Sequence, residues 1–255
     1  MPSVVAKRLA GDVAYVRIKQ FQVGTYEELL RGVGAVRNAA SAPLRGVLLD
    51  LRSNPGGLVD EAEAIADELL DVGAHLHDAA PRQGARSGER VLRRRARCCA
   101  RGGARERVLG QLVELVAGAL QDSRARTIVG QRTFGKGSVQ TIFDLPNGAG
   151  LRLTTMRYYT PSGRSIQAQG IDPDVLVRSA TTAADGIVRE GDLEGHLAAE
   201  TAPSSGRPQR IVIADPPPSG AAPLARSSEV PDDPSKGDDF VLKTAYEALR
   251  TAPRP

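Results

Sequence analysis

A layered α/β fold is what the sequence predicts, on three observations. A strand-like alternation is followed by a helical pattern near the N-terminus, a strand, glycine turn and helix recur at residues 45–70, and 41% hydrophobic with 25% charged residues suits a packed globular chain. A length of 255 residues fits one large domain or a domain with an appendage. From Asp12 to Phe21, Val13, Tyr15 and Ile18 alternate with polar residues as in a strand, and Tyr26 to Ala40 carries apolar residues at helical spacing. Arg45 to Leu51 is a short apolar run, expected as a buried strand. Asn54-Pro55-Gly56-Gly57 then turns the chain into Leu58 to Leu70, where acidic and apolar residues follow a helical period.

The pattern fails over residues 75–113, with Arg93-Arg94-Arg95 and scattered Gly and Ala. It returns as a helix at Leu115 to Leu120, a strand at Thr127 to Val129, and two strands, Ser138 to Leu145 and Gly150 to Tyr159, around Pro146-Asn147-Gly148. Ten of the 17 prolines follow Thr181. Residues 179–238 therefore read as a mostly disordered linker, and 239–255 as a short C-terminal helix centred on Phe240 to Arg250. The domain expected is 1–178.

Composition excludes several functions. No stretch approaches the ~20 apolar residues of a membrane-spanning helix, and no basic segment followed by an apolar one opens the chain. The two cysteines, Cys98 and Cys99, are adjacent, so neither a disulfide framework nor a spaced metal site follows. Ten arginines between Arg82 and Arg107, opposed by Glu89 and Glu106, give that segment a net charge of +8. Such a stretch attracts phosphate backbones, but no aromatic residue is interleaved to stack bases, which disfavours nucleic acid as a partner.

Few residues carry chemistry. Gly130 to Lys136 nearly matches a phosphate-binding loop, yet Gly137 stands where Ser or Thr should bind magnesium and a strand pattern follows instead of a helix. Lys136 is the only lysine between Lys19 and Lys236 in a chain with 29 arginines, and lysine, unlike arginine, can lose its proton in a desolvated site. His75, His77 and His196 fall in irregular or polar stretches, against a Ser-His-Asp triad; a serine or cysteine nucleophile would need a lysine base. Gly56 and Gly57, between a buried strand and a helix, could offer amides to an oxyanion or form a plain turn. No cofactor or metal is expected.

Six blocks in order, over about residues 4–178, resemble the C-terminal processing (tail-specific) serine peptidases. They are Asp12 to Ile18 with Phe21, Leu49 to Gly57, Glu114 to Asp122, Thr133 to Gln140, Tyr158 to Gln167, and Gly170 to Asp174. The resemblance implies a ClpP/crotonase-like α/β core and a Ser/Lys dyad in which a neutral lysine takes the proton of an attacking serine. Lys136 falls on the lysine, Gln140 on a glutamine beside it, Asp122 on the acidic residue after the nucleophile helix, and Gly56 and Gly57 on the oxyanion loop. Protein or peptide substrates with apolar C-termini, laid as an added strand, are implied as partners. The family is usually exported or in the cell envelope.

The chain departs from that family in two places. Gln111 occupies the nucleophile slot, three residues before Glu114, and the apolar strand that should precede it is replaced by Ala100 to Val113. An amide cannot serve as the nucleophile, so the chain is expected to be inactive or nearly so, with a central strand lost. We read 75–113 as a frame-shifted segment on grounds of compatibility alone: codons permitted for 100–113 can be chosen so that reading one nucleotide downstream gives a valine-rich strand followed by Ser-Ala-Ser-Ser. A gene whose alternative frame cannot encode that strand would sink this reading. Secondly, the family carries an export signal and a PDZ domain before its core, and Met1 stands where the core begins, so a fragment is expected.

Overall fold

The computed structural model describes residues 1–40, 42–70, 110–122, 127–146, 148–177, 188–199 and 230–251, together with the backbone of 96–100, 178–179 and 210–214. The Arg-rich stretch, His75 and His77 otherwise lie outside the described residues.

Seven strands form one sheet in the order β1 (Val4–Leu9), β2 (Val13–Ile18), β3 (Gly46–Asp50), β4 (Ala96–Ala100), β5 (Thr127–Gly130), β8 (Val175–Ser179) and β9 (Arg210–Ala214). Only β1 pairs antiparallel; every other pairing is parallel. The intervening β6 (Ser138–Asp144) and β7 (Gly150–Arg157) form a separate hairpin. Parallel strands need crossovers, and helices α1 (Thr25–Asn38), α2 (Val59–Leu69) and α3 (Gln111–Asp122) fill that role.

Strand alternation divides the core. Ala14, Val16 and Ile18 of β2 with Val47 and Leu49 of β3 face α1, α2 and α3, where Leu29, Ile65, Leu69, Val116 and Leu120 bury. Val13, Tyr15 and Leu48 face the other way, onto the C-terminal helix α4 (Phe240–Thr251) through Leu242, Tyr246 and Leu249. The expected tail helix thus covers the second face of the sheet, which would otherwise leave apolar strands open to water.

Two stretches without a clear sequence pattern nevertheless contribute strands to the sheet. The centre of the sheet is filled by β4, paired on one side with β3 and on the other with β5, while residues 101–109, where the apolar strand was expected to be replaced, lie outside the described residues. A parallel ladder requires only backbone groups in register, so the short run Ala96–Ala100 fills the position although Arg97 hides it from a search for apolar runs. The linker expected over 179–238 contains ordered pieces: β9 adds Ile211, Val212 and Ile213 to the sheet beside β8, and one-turn 3-10 helices occur at Glu190–Asp192 and Pro234–Lys236. A β-branched triplet is strand-forming even among prolines.

Candidate functional site

Lys136 lies in the Gln131–Gly137 loop that joins β5 to the hairpin, and this loop is anchored by a carboxylate that sequence reasoning did not single out. Glu114, in the first turn of α3, is fully buried and accepts hydrogen bonds from the Thr133 hydroxyl, Gly135 N (2.7 Å) and Lys136 N (2.9 Å). Burial pushes its carboxyl from 4.5 up to about 7, against the opposing pull of those three donors. Thr133 Oγ1 in turn accepts from Ile171 N at 2.7 Å. Lys136 is half-buried, and its ammonium has no ion-pair partner among the described residues. The signal for Glu114 was a lone acidic residue in the apolar stretch Leu112 to Leu120.

Gln111 is the first residue of α3, so position 111 stands at a helix N-terminus, one turn before the anchor of the lysine loop. Burial and the Glu63 carboxylate hold the Tyr158 phenol above its ordinary range, against the opposing pull of the Gln111 side chain. Tyr158 belongs here because its N–H donates to Gly137 O at 2.7 Å.

The glycine loop after β3 packs against the residue before α3. Gly110 N donates to Asn54 O (2.9 Å), and a Cβ on Gly110 would fall 2.2 Å from Gly56 N. The buried Asn54 side chain donates to Ile18 O (3.1 Å) and accepts from Gly56 N (2.8 Å), so the Gly56 amide is engaged within the loop. Gly57 N has no partner among the described residues.

The remaining residues lie apart. Gln140 is exposed on β6 at a bulge. Asp122 ends α3, eleven residues or about 16 Å of helix from Gln111. It accepts from Ser162 N (2.9 Å) and Arg164 Nη2 (2.6 Å), and although burial opposes, the Ser162 and Thr160 hydrogen bonds and the Arg164 charge hold its carboxyl below the usual range. His196 is exposed.

A model described as peptidase family S41 matches residues 12–97 and 113–177. The chain belongs to peptidase family S41. The two matched stretches leave 98–112 between them, and that gap contains Gln111. The carboxy-terminal-processing protease of Bartonella bacilliformis is 36% identical over 257 residues, covering 96% of this chain and 54% of the relative. The carboxyl-terminal-processing protease of Synechocystis is 32% identical over 188 residues, covering 72% of this chain and 42% of that protein. Among solved structures, a photosystem II D1 C-terminal processing protease superposes with a TM-score of 0.55 at 30% identity, over 68% of this chain and 48% of the other. This S41 chain spans about half the length of the curated relatives it matches. No helix among its described residues is long and apolar enough to cross a membrane.

Proposed function

We propose that this S41 chain is the core of a serine-type C-terminal-processing peptidase that keeps the lysine arm of its dyad and carries Gln111 in the nucleophile position, so that it engages protein C-termini but hydrolyses them little or not at all. The observation that carries this reading is the pinning of the Lys136 loop, through Glu114, to the first turn of the helix that Gln111 opens. That anchor supports a dyad geometry: a hydroxyl at 111 would lose its proton to the neutral amine of Lys136 as it attacks the scissile carbonyl. The amine would return the proton to the leaving nitrogen, and water would release the acyl group. Gly57 N and the N-terminal amides of α3 would receive the oxyanion. Gln140 would orient the amine, and Asp122 would hold the turn carrying Ser162 and Arg164.

A carboxamide at 111 breaks the cycle at its first step, because its nitrogen lone pair is delocalised and no covalent intermediate forms. Apolar C-termini remain the substrate class that best suits the hairpin beside the lysine loop, where Ile142, Phe143, Leu151, Leu153 and Met156 are exposed. Hydrolysis of a fluorogenic peptide with an apolar C-terminus is the test. We expect Gln111→Ser to exceed the wild-type chain by about a thousandfold or more, and adding Lys136→Ala to abolish the gain. Brisk wild-type turnover that disappears in Lys136→Ala would overturn the assignment of inertness, and a Gln111→Ser variant without activity would overturn the dyad.

A further inference from the structure

We infer that residues 188–199, inside the stretch expected to be a disordered linker, form a strap that sets the position of Lys136, with Gln167 and Glu190 as its positioning residues. The inference deepens the reading of Lys136 as a base and rests on it.

Lys136 is bracketed by glycines because the chain on either side of it presses on the Ile166–Gly170 turn. A Cβ on Gly137 would fall 2.6 Å from Gln167 N, and one on Gly135 would fall 3.0 Å from Gly170 N. The Gln167 side chain, fully buried, is satisfied at both ends. Its Oε1 accepts from Gly137 N at 3.0 Å, while its Nε2 donates to Glu190 Oε1 at 3.2 Å and to Leu197 O at 3.3 Å.

A primary amide has one acceptor end and one donor end, so the bond to Gly137 holds only while acceptors face Nε2. Among the described residues the strap supplies both of them. Glu190 N also donates to Phe134 O at 3.0 Å, two residues before the lysine. Arg157, at the end of β7, donates to Ala198 O at 2.9 Å and fastens the far end of the segment.

The lysine backbone is therefore gripped from two sides, by Glu114 on α3 and by the strap through Gln167. Lysine's four-carbon stem is flexible, so where its amine sits depends on how firmly this backbone is fixed.

Amide hydrogen exchange on the full chain tests the strap without using activity. Glu190→Ala should speed exchange at Gly137 N by about fivefold or more, the loss of one buried hydrogen bond, while the amides of β2 and β3 stay unchanged. Glu190→Gln, which keeps an acceptor, should preserve protection. Gln167→Glu, whose carboxylate cannot donate to the strap and would face the Glu190 carboxylate, should release the strap, so that Glu190 N and Gly137 N both exchange faster. In the Gln111→Ser background, Glu190→Ala should lower kcat with KM unchanged, and Glu190→Gln should restore it.

Unchanged Gly137 exchange in Glu190→Ala, or an equal loss in Glu190→Gln, overturns the strap. An inactive Gln111→Ser variant overturns the dyad instead and leaves the exchange result to decide this proposal.

Discussion

At Glu114 burial and hydrogen bonding pull in opposite directions, and burial wins, raising the carboxyl from 4.5 to about 7. The folded chain then holds this proton more tightly than the unfolded one does. Its stabilising effect is complete below about pH 4.5, declines as pH rises towards 7, and is absent above that; the span of the shift corresponds to about 3 kcal/mol. Asp50 and Asp122 behave oppositely. Arg52 beside the first, and Ser162, Thr160 and Arg164 beside the second, outweigh burial and hold both carboxyls low. Their contribution is present above the ordinary carboxylate range and is lost only as pH falls below it, so the two windows do not overlap. Urea unfolding at pH 5 and pH 8 should show the wild-type chain losing on the order of 2–3 kcal/mol at the higher pH. Glu114→Gln, which does not titrate, should lose little; an equal loss in both would mean that Glu114 is not the titrating group.

The elements show why some glycines are obligatory and others are not. Gly57 has φ of 144°, and a Cβ there would fall 1.9 Å from Phe21 O, where Leu58 N donates to Phe21 O (2.7 Å) in an isolated bridge between the glycine loop and the segment after β2. Gly34 in α1 has nothing within 4 Å of its absent Cβ. Gly57→Ala should therefore cost about 2–4 kcal/mol and open the loop, whereas Gly34→Ala should add about 0.5–1 kcal/mol, both read from denaturant midpoints. The same contrast explains how far the elements were legible. α1, α2 and β2 announce themselves by a period that matches their faces against the core, and β3 by a continuous apolar run that is buried on both faces. β1 and β8 escaped because Val4–Leu9 and Val175–Ser179 are short and interrupted by Lys7, Arg8 and Arg178. Of the site, Lys136, Gly56, Gly57, Gln140 and Asp122 could be picked out in the sequence. The distance of Asp122 from position 111, the engagement of the Gly56 amide and the grip on the lysine loop could not, since each depends on tertiary contacts made by Glu114, Asn54 and Gln167.

Across the whole molecule, one buried ion pair joins the α4 face of the sheet to the glycine loop. Tyr15 and Asp50 both point to the α4 side, where the Tyr15 hydroxyl donates to Asp50 at 2.8 Å. Arg52, the next residue but one, returns to grip the same carboxylate from Nε (2.8 Å) and Nη2 (2.6 Å), and its Nη1 reaches Asp239 at 2.7 Å. Asp239 precedes α4 and accepts from Leu242 N at 3.0 Å, so the start of that helix and the start of the Arg52–Gly57 loop share one guanidinium. The docking of α4 through Leu242, Tyr246 and Leu249 therefore bears on the glycine loop some distance from the helix itself. A buried carboxylate stripped of its cation costs far more than the pair contributes when intact. Arg52→Met should accordingly destabilise the chain by about 3–5 kcal/mol in urea at neutral pH, with faster exchange at both Gly56 N and the first turn of α4. Replacing the carboxylate as well, in Asp50→Asn with Arg52→Met, should recover part of the stability, because a neutral amide no longer needs the guanidinium, but not the protection at α4, which still lacks its partner for Asp239. Full recovery at both places would show that α4 and the loop are not coupled through Arg52.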